Sequence, residues 1–194
     1  MSTTDDDALA GRKRKLEEEY FRKQDQELIE KMRRSAAAAR ERAELETKTG
    51  VHDPDLLRDL QELGFTADTV HLLPLVPLVQ TAWAEGGVSG AERALIIDFA
   101  RRRGIQEGSA ADALLADWLA ARPSTEVFRR ADRLIGALLA AGSSAAGDLS
   151  ADDLVKYCES IAAASGGIFG VGRISADERA AITDIAAQLR TRAR

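Results

Sequence analysis

Side chains able to do chemistry are sparse in this sequence. The two histidines, His52 and His71, lie in different segments with no Cys or second His at ligand spacing, which argues against a zinc site. The single cysteine, Cys158, stands beside Tyr157 and away from any histidine. It reads as a small, partly buried residue rather than an activated nucleophile, and it cannot close an internal disulfide. The glycine-rich run 166–173 could turn backbone amides toward a phosphate. Yet Gly172 is followed by Arg173 and Ile174 where a P-loop needs Lys and then Ser or Thr. A packed turn is expected there, with Ile168, Phe169 and Val171 tucked into the core or meeting a partner. The acids, in contrast, recur in a pattern: Ser89 with Glu92, Ser109 with Asp112, Ser150 with Asp153 and Ser175 with Glu178. In such a pair the hydroxyl accepts the third helical amide while the carboxylate reaches back to the serine amide, so each marks a helix start. Asp98 and Asp184 also recur, and Asp98 can pair with Arg101 or Arg102 on its own helix. None of these sets composes a catalytic centre, so the chain is expected to be non-enzymatic.

The elements that carry these residues are helices. Of 194 residues, 45% are hydrophobic and only 5% aromatic, with abundant Ala and Leu and few β-branched runs, a balance that favours an all-α fold. That length suits one ordinary domain with an accessory segment. The apolar stretch from Val70 to Ala84 is interrupted by Pro74 and Pro77 and is too short to span a bilayer. With no basic and apolar leader at the acidic N-terminus, a cytoplasmic protein is expected, with peripheral membrane association left open. Residues 1–48 hold twelve basic and twelve acidic side chains, so the net charge of −5 resides entirely in the remainder. The basic run Arg12–Lys15 is followed at once by Glu17–Glu19, which breaks up the field that phosphate binding requires; nucleic acid is not an expected partner.

From about Asp6 to Thr47 there is no proline and one glycine, in a composition that favours a single long helix. Leu9, Leu16, Tyr20, Leu28, Met32, Ala36, Ala39 and Ala43 form one narrow apolar stripe, interrupted by Gln24, with Phe21 and Ile29 beside it. Forty residues of helix reach roughly 60 Å, more than a small domain can cover. Leu16, Tyr20, Phe21, Leu28 and Met32 are therefore expected to bind a helical protein partner or a second copy of the chain. The alternative is a solvated helix held by Glu18–Arg22, Glu27–Lys31 and Glu30–Arg34 pairs. Glu17–Glu19, Tyr20, Phe21, Arg22 and Leu28 are also similar to the inhibitory helix of the mitochondrial ATP synthase inhibitor protein, although the histidine-rich continuation of that family is missing. That likeness implies an inhibitor or regulator whose helix docks into an ATPase or another assembly.

Gly50, Asp53 and Pro54 stop the long helix and start the next, placing a domain boundary near residue 50. With seven further starts, this predicts eight helices, near 54–63, 67–73, 76–85, 90–103, 110–121, 125–141, 151–164 and 176–192, with Trp83 and Trp118 in the core. Two of these units are copies. From Ser89 and from Ser175 the sequence is identical at seven of twelve positions, and Ala82, Ala84, Gly86 and Gly87 upstream match Ala162, Ala164, Gly166 and Gly167.

On the segment Ala82–Ile96 and its copy at Ile174–Ile182, the chain resembles the TerB-like domains named after a tellurite-resistance protein, over about residues 53–194. The resemblance implies an all-helical fold of two pseudo-symmetric halves, divalent metal binding through acids, and a place in membrane-associated stress-response complexes. Carried onto this sequence, it implies Glu85, Glu92 and Glu178 as ligands of a divalent metal, Ca²⁺ or Mg²⁺. Glu85 stands where the motif has Asp, and Ser165 occupies the corresponding place in the second half. The expected protein is a TerB-like binding or adaptor module with an N-terminal coiled-coil arm, responsive to stress and to a divalent metal.

Overall fold

The computed structural model describes residues 3–140, 142, 149–164 and 174–190, with side chains from residue 17 onward. The protein is all-α: α1 (Thr3–Thr49), α2 (Pro54–Glu62), a 3-10 helix (Val70–Leu75), α3 (Val76–Ala82), α4 (Gly90–Arg102), α5 (Ala110–Ala120), α6 (Thr125–Ala140), α7 (Ala151–Ala164) and α8 (Ala176–Arg190). No strand occurs among the described residues. The chain divides into two units, residues 1–41 and residues 42–194.

The described residues of the first unit are all helix. Good helix formers extend α1 beyond both expected ends, and its side chains from Glu17 to Arg40 are exposed. Of the three expected intrahelical pairs, Glu30–Arg34 closes at 3.7 Å.

The second unit takes in the last turns of α1, because Leu45 and Thr49 are both fully buried there. Gly50 adopts φ 66°, a left-handed conformation that glycine takes without a steric penalty, and its amide bonds the Glu46 carbonyl at 2.8 Å to stop α1. Asp53 caps α2 by accepting the amides of Asp55 at 2.8 Å and Leu56 at 3.4 Å, and Pro54 follows in the first turn.

The expected helix 67–73 is corrected to a 3-10 helix shifted to Val70–Leu75. Thr66 and Thr69 first close a turn, with the Thr66 amide donating to Thr69 Oγ1 at 2.9 Å. Pro74 has no amide to offer an α-helical ladder, so the chain tightens and then restarts with Pro77 inside the first turn of α3.

α3 is the centre of this unit: Val76, Pro77, Leu78, Val79, Thr81 and Ala82 are all buried. It packs against α7, α8, α6 and α4, while α7 also packs against α4 and α8. α6 lies on α8 so closely that a Cβ on Gly136 would sit 3.0 Å from the Gln188 carbonyl oxygen, which is why that position carries no side chain. Trp83 and Trp118 are half-buried at the rim of the core, where Trp83 Nε1 donates to the Trp118 carbonyl at 2.9 Å and Phe65 meets the Trp118 ring edge-on.

Candidate functional site

All four serine–acid pairs cap helices. Ser89 Oγ accepts the Glu92 amide at 3.2 Å and Glu92 Oε2 accepts the Ser89 amide at 2.7 Å. Ser175 and Glu178 repeat this at 3.1 Å and 2.7 Å, and Ser150 and Asp153 at 3.1 Å in both directions. Asp112 departs from the pattern. Its amide bonds Ser109 Oγ at 3.1 Å, but its carboxylate takes the Gly108 amide at 2.9 Å and the Arg101 guanidinium at 2.7 Å. Those contacts, Gly108 first, hold the Asp112 carboxyl below the usual range.

Glu92 and Glu178 differ from the other two acids in being buried, at 3% and 1% exposure. Burial pushes the Glu92 carboxyl up; the hydrogen bonds from Ser89 oppose the rise, and the charges of Glu178 and Glu85 add to it. The fold thus brings the three acids that the TerB resemblance selects into electrostatic contact, with Glu85 exposed at the end of the turn after α3. Glu178 Oε1 is buried without a hydrogen-bond partner among the described residues, an acceptor a cation could use. Among the described residues, however, no three or more His, Cys, Asp or Glu side chains gather closely enough to hold a metal ion. Three carboxylates alone fall short of the six or more oxygens that Ca²⁺ takes, so carbonyls or water would have to complete its shell. Ser165 and the glycine run 166–173 lie outside the described residues.

On the arm, Tyr20, Phe21, Leu28, Ile29 and Met32 are 49–64% exposed, and they are the large apolar side chains left in water among the described residues. Tyr20 and Phe21 touch edge to face, with ring centroids 5.9 Å apart. The Leu16 side chain lies outside the described ones.

Cys158, expected to be partly buried, is fully buried. Burial and then the charge of Asp132 raise its thiol to about 12 against an opposing hydrogen bond with Thr81, so it stays protonated and unreactive at neutral pH. His52 Nδ1 lies 2.7 Å from Glu46 Oε1 at the surface, and His71 is exposed, with burial and then the charges of Lys48 and Arg103 lowering its pKa. Asp98 pairs with Arg102 at 2.8 Å.

Two features escaped the sequence reading. Asp132, inside α6, is fully buried with neither carboxylate oxygen hydrogen-bonded among the described residues, and burial raises its pKa to about 7. The helical spacing of Phe128, Ala131, Asp132 and Ile135 on one face was the available signal. A cavity of about 290 Å³ opens beside α3, α4 and α7, with walls that include Leu78, Phe99, Arg103, Leu154 and Tyr157. No linear motif marks it, since its walls come from separate helices.

No protein family, curated protein or solved structure matches the chain.

Proposed function

We propose that this protein is a non-enzymatic adaptor: a TerB-like helical module whose N-terminal arm binds a protein partner and whose paired glutamates respond to a divalent cation. The observation that carries this reading is the segregation of exposed apolar surface. Among the described residues, five large apolar side chains lie in water within residues 20–32, while those of the second unit are buried or half-buried against its core. A stripe of that kind is the form an amphipathic helix takes when its apolar face is destined for another surface. The pairing of α3 and α7, with α4 against α7 and α3 against α8, supports two halves related by pseudo-symmetry. So do the matching caps at Ser89 and Ser175. No described helix is long and apolar enough to cross a membrane, and a cytoplasmic setting with stress-linked partners completes the proposal.

The test is affinity purification from the native cell with the full chain and with a Tyr20→Ala, Phe21→Ala variant. Loss of a specific partner in the variant supports the arm as effector, and unchanged capture overturns it. For the metal, calorimetric titration with Ca²⁺, Mg²⁺ and Zn²⁺ should give heat that Glu92→Gln with Glu178→Gln removes; no heat from any ion discards that part.

A second reading is a regulator whose arm docks into an ATPase or another assembly. It is favoured by the exposure of Glu17–Glu19, Tyr20, Phe21, Arg22 and Leu28, the residues that carry the inhibitor likeness. Inhibition of a purified ATPase by the wild-type chain and not by the Tyr20, Phe21 variant separates it from the adaptor reading.

A further inference from the structure

We infer that the partner of the arm is a second copy of the arm, lying antiparallel over residues 17–35. This rests on the reading of α1 as a binding surface and names what covers it.

The order of charges along the arm, and above all at its two ends, carries the argument. From residue 17 the charges come in four blocks: acidic at Glu17, Glu18 and Glu19, basic at Arg22 and Lys23, acidic at Glu27 and Glu30, basic at Lys31, Arg33 and Arg34. Asp25 belongs with the second acidic block, and all of these side chains are exposed; at about 3.6 residues per turn Glu17, Glu18, Asp25 and Lys31 flank the apolar stripe, whereas Glu19, Lys23 and Glu30 lie on the opposite side. A row that reads minus, plus, minus, plus is its own complement when reversed. Two copies side by side in the same direction set every block against its own sign, and like charges across a helical pair are destabilising. Turned end for end about a centre near residue 26, Glu17 and Glu18 come alongside Arg33 and Arg34 at both ends of the seam, while Asp25 and Glu27 meet like charges at its middle, so the ends carry the pairing.

The apolar residues agree with that register. Phe21 of one copy falls beside Ile29 and Met32 of the other, and Leu28 falls beside Gln24. The exposed apolar side chains of the two copies thereby share one seam along roughly 18 Å of helix at 1.5 Å per residue, with Gln24 beside Leu28 near its middle. Lys, Arg and Glu stems close over the edges of the seam.

Sedimentation and light scattering of the purified full chain test the pairing. The mass should rise from 20.9 kDa toward twice that value with concentration, and added salt should lower it. Phe21→Ser with Met32→Ser should abolish the rise while leaving the unfolding midpoint of the second unit in place. Glu18→Lys with Glu19→Lys should weaken dimerisation, and adding Arg33→Glu with Arg34→Glu to the same chain should restore it, which parallel pairing would not allow.

Direction is read by oxidation. A mixture of Glu17→Cys and Ser35→Cys chains should give the mixed disulfide and neither homodisulfide, with Cys158 shielded by its full burial. Homodisulfides, or a monomer at every concentration, overturn the proposal. If the purified chain stays monomeric while the Phe21, Met32 variant loses a cellular partner, self-pairing falls and the arm remains a binding surface.

Discussion

The arm and the compact unit are written in nearly the same alphabet of Ala, Leu, Glu, Arg and Lys, yet they treat apolar residues in opposite ways. In α3 six of seven residues are buried, and Pro74 and Leu75 before it are buried too. In α1, Phe21 and Met32 are more than 60% exposed. Spacing decides the outcome. Contiguous apolar residues make α3 hydrophobic on every side, which suits a helix surrounded by others. A narrow stripe edged by charges on both sides leaves the arm helix with nothing of its own to pack against. On the proposed reading, folding stability therefore belongs to the second unit and recognition to the first, and substitutions should separate the two.

The strongest way to break that contrast is a matched pair of truncations. Leu72→Ala removes a fully buried side chain and should cost about 2–5 kcal/mol in urea unfolding, from lost burial and the cavity left behind. Leu28→Ala in the arm should change the same transition by less than about 0.5 kcal/mol at dilute concentration. Equal costs would mean that the arm packs on something within its own chain.

Within the compact unit, Asp132 is the exception to its own surroundings. Its carboxyl titrates near 7 in the folded state against an ordinary 3.8, so the folded state favours the protonated form. Stability linked to that proton is fully present below about pH 4 and drains away as pH rises through 7, by up to about 4 kcal/mol for a shift of this size. Unfolding free energies at pH 5 and pH 8 should differ in that direction, and Asp132→Asn should flatten the difference. A wild-type protein equally stable at both values would show that the carboxylate has found a partner in solution.

Most of this architecture was legible in the sequence because its signals are local. Gly50, Asp53 and Pro54 specify a stop and a start within five residues, and Ser89 with Glu92 closes a cap within four; backbone chemistry settles both without help from the rest of the chain. The Val70–Leu75 segment was misjudged because two prolines shifted the balance from α to 3-10, a choice made against neighbouring helices. The candidate metal site was legible only as three separate acids. Whether Glu85, Glu92 and Glu178 come close depends on how α3, α4 and α8 pack, which no spacing along the chain encodes. Asp132 and the cavity by Arg103 are tertiary in the same sense.

The two halves offer a finer comparison. Ser89 and Ser175 make the same cap at nearly the same distances, so Ser89→Ala and Ser175→Ala should each cost about 1 kcal/mol and add in the double variant. A cap lost from one half alone should leave its glutamate buried with one fewer contact. A markedly unequal pair of costs would show that one helix start leans on something besides its cap, and would weaken the case for duplicated halves.

The smallest effect belongs to the arm. Glu30 and Arg34 are both well exposed at 3.7 Å on successive turns, an arrangement that stabilises a helix by only a few tenths of a kcal/mol and fades with salt. Glu30→Gln should lower arm helicity slightly by circular dichroism at low salt and not at high salt, with the domain transition unmoved. Because Glu30 lies on the side of the helix away from the apolar stripe, the same substitution should weaken self-association no more than it lowers helicity. Association falling much further than helicity would mean that Glu30 reaches across the seam, and that the apolar stripe is not its centre.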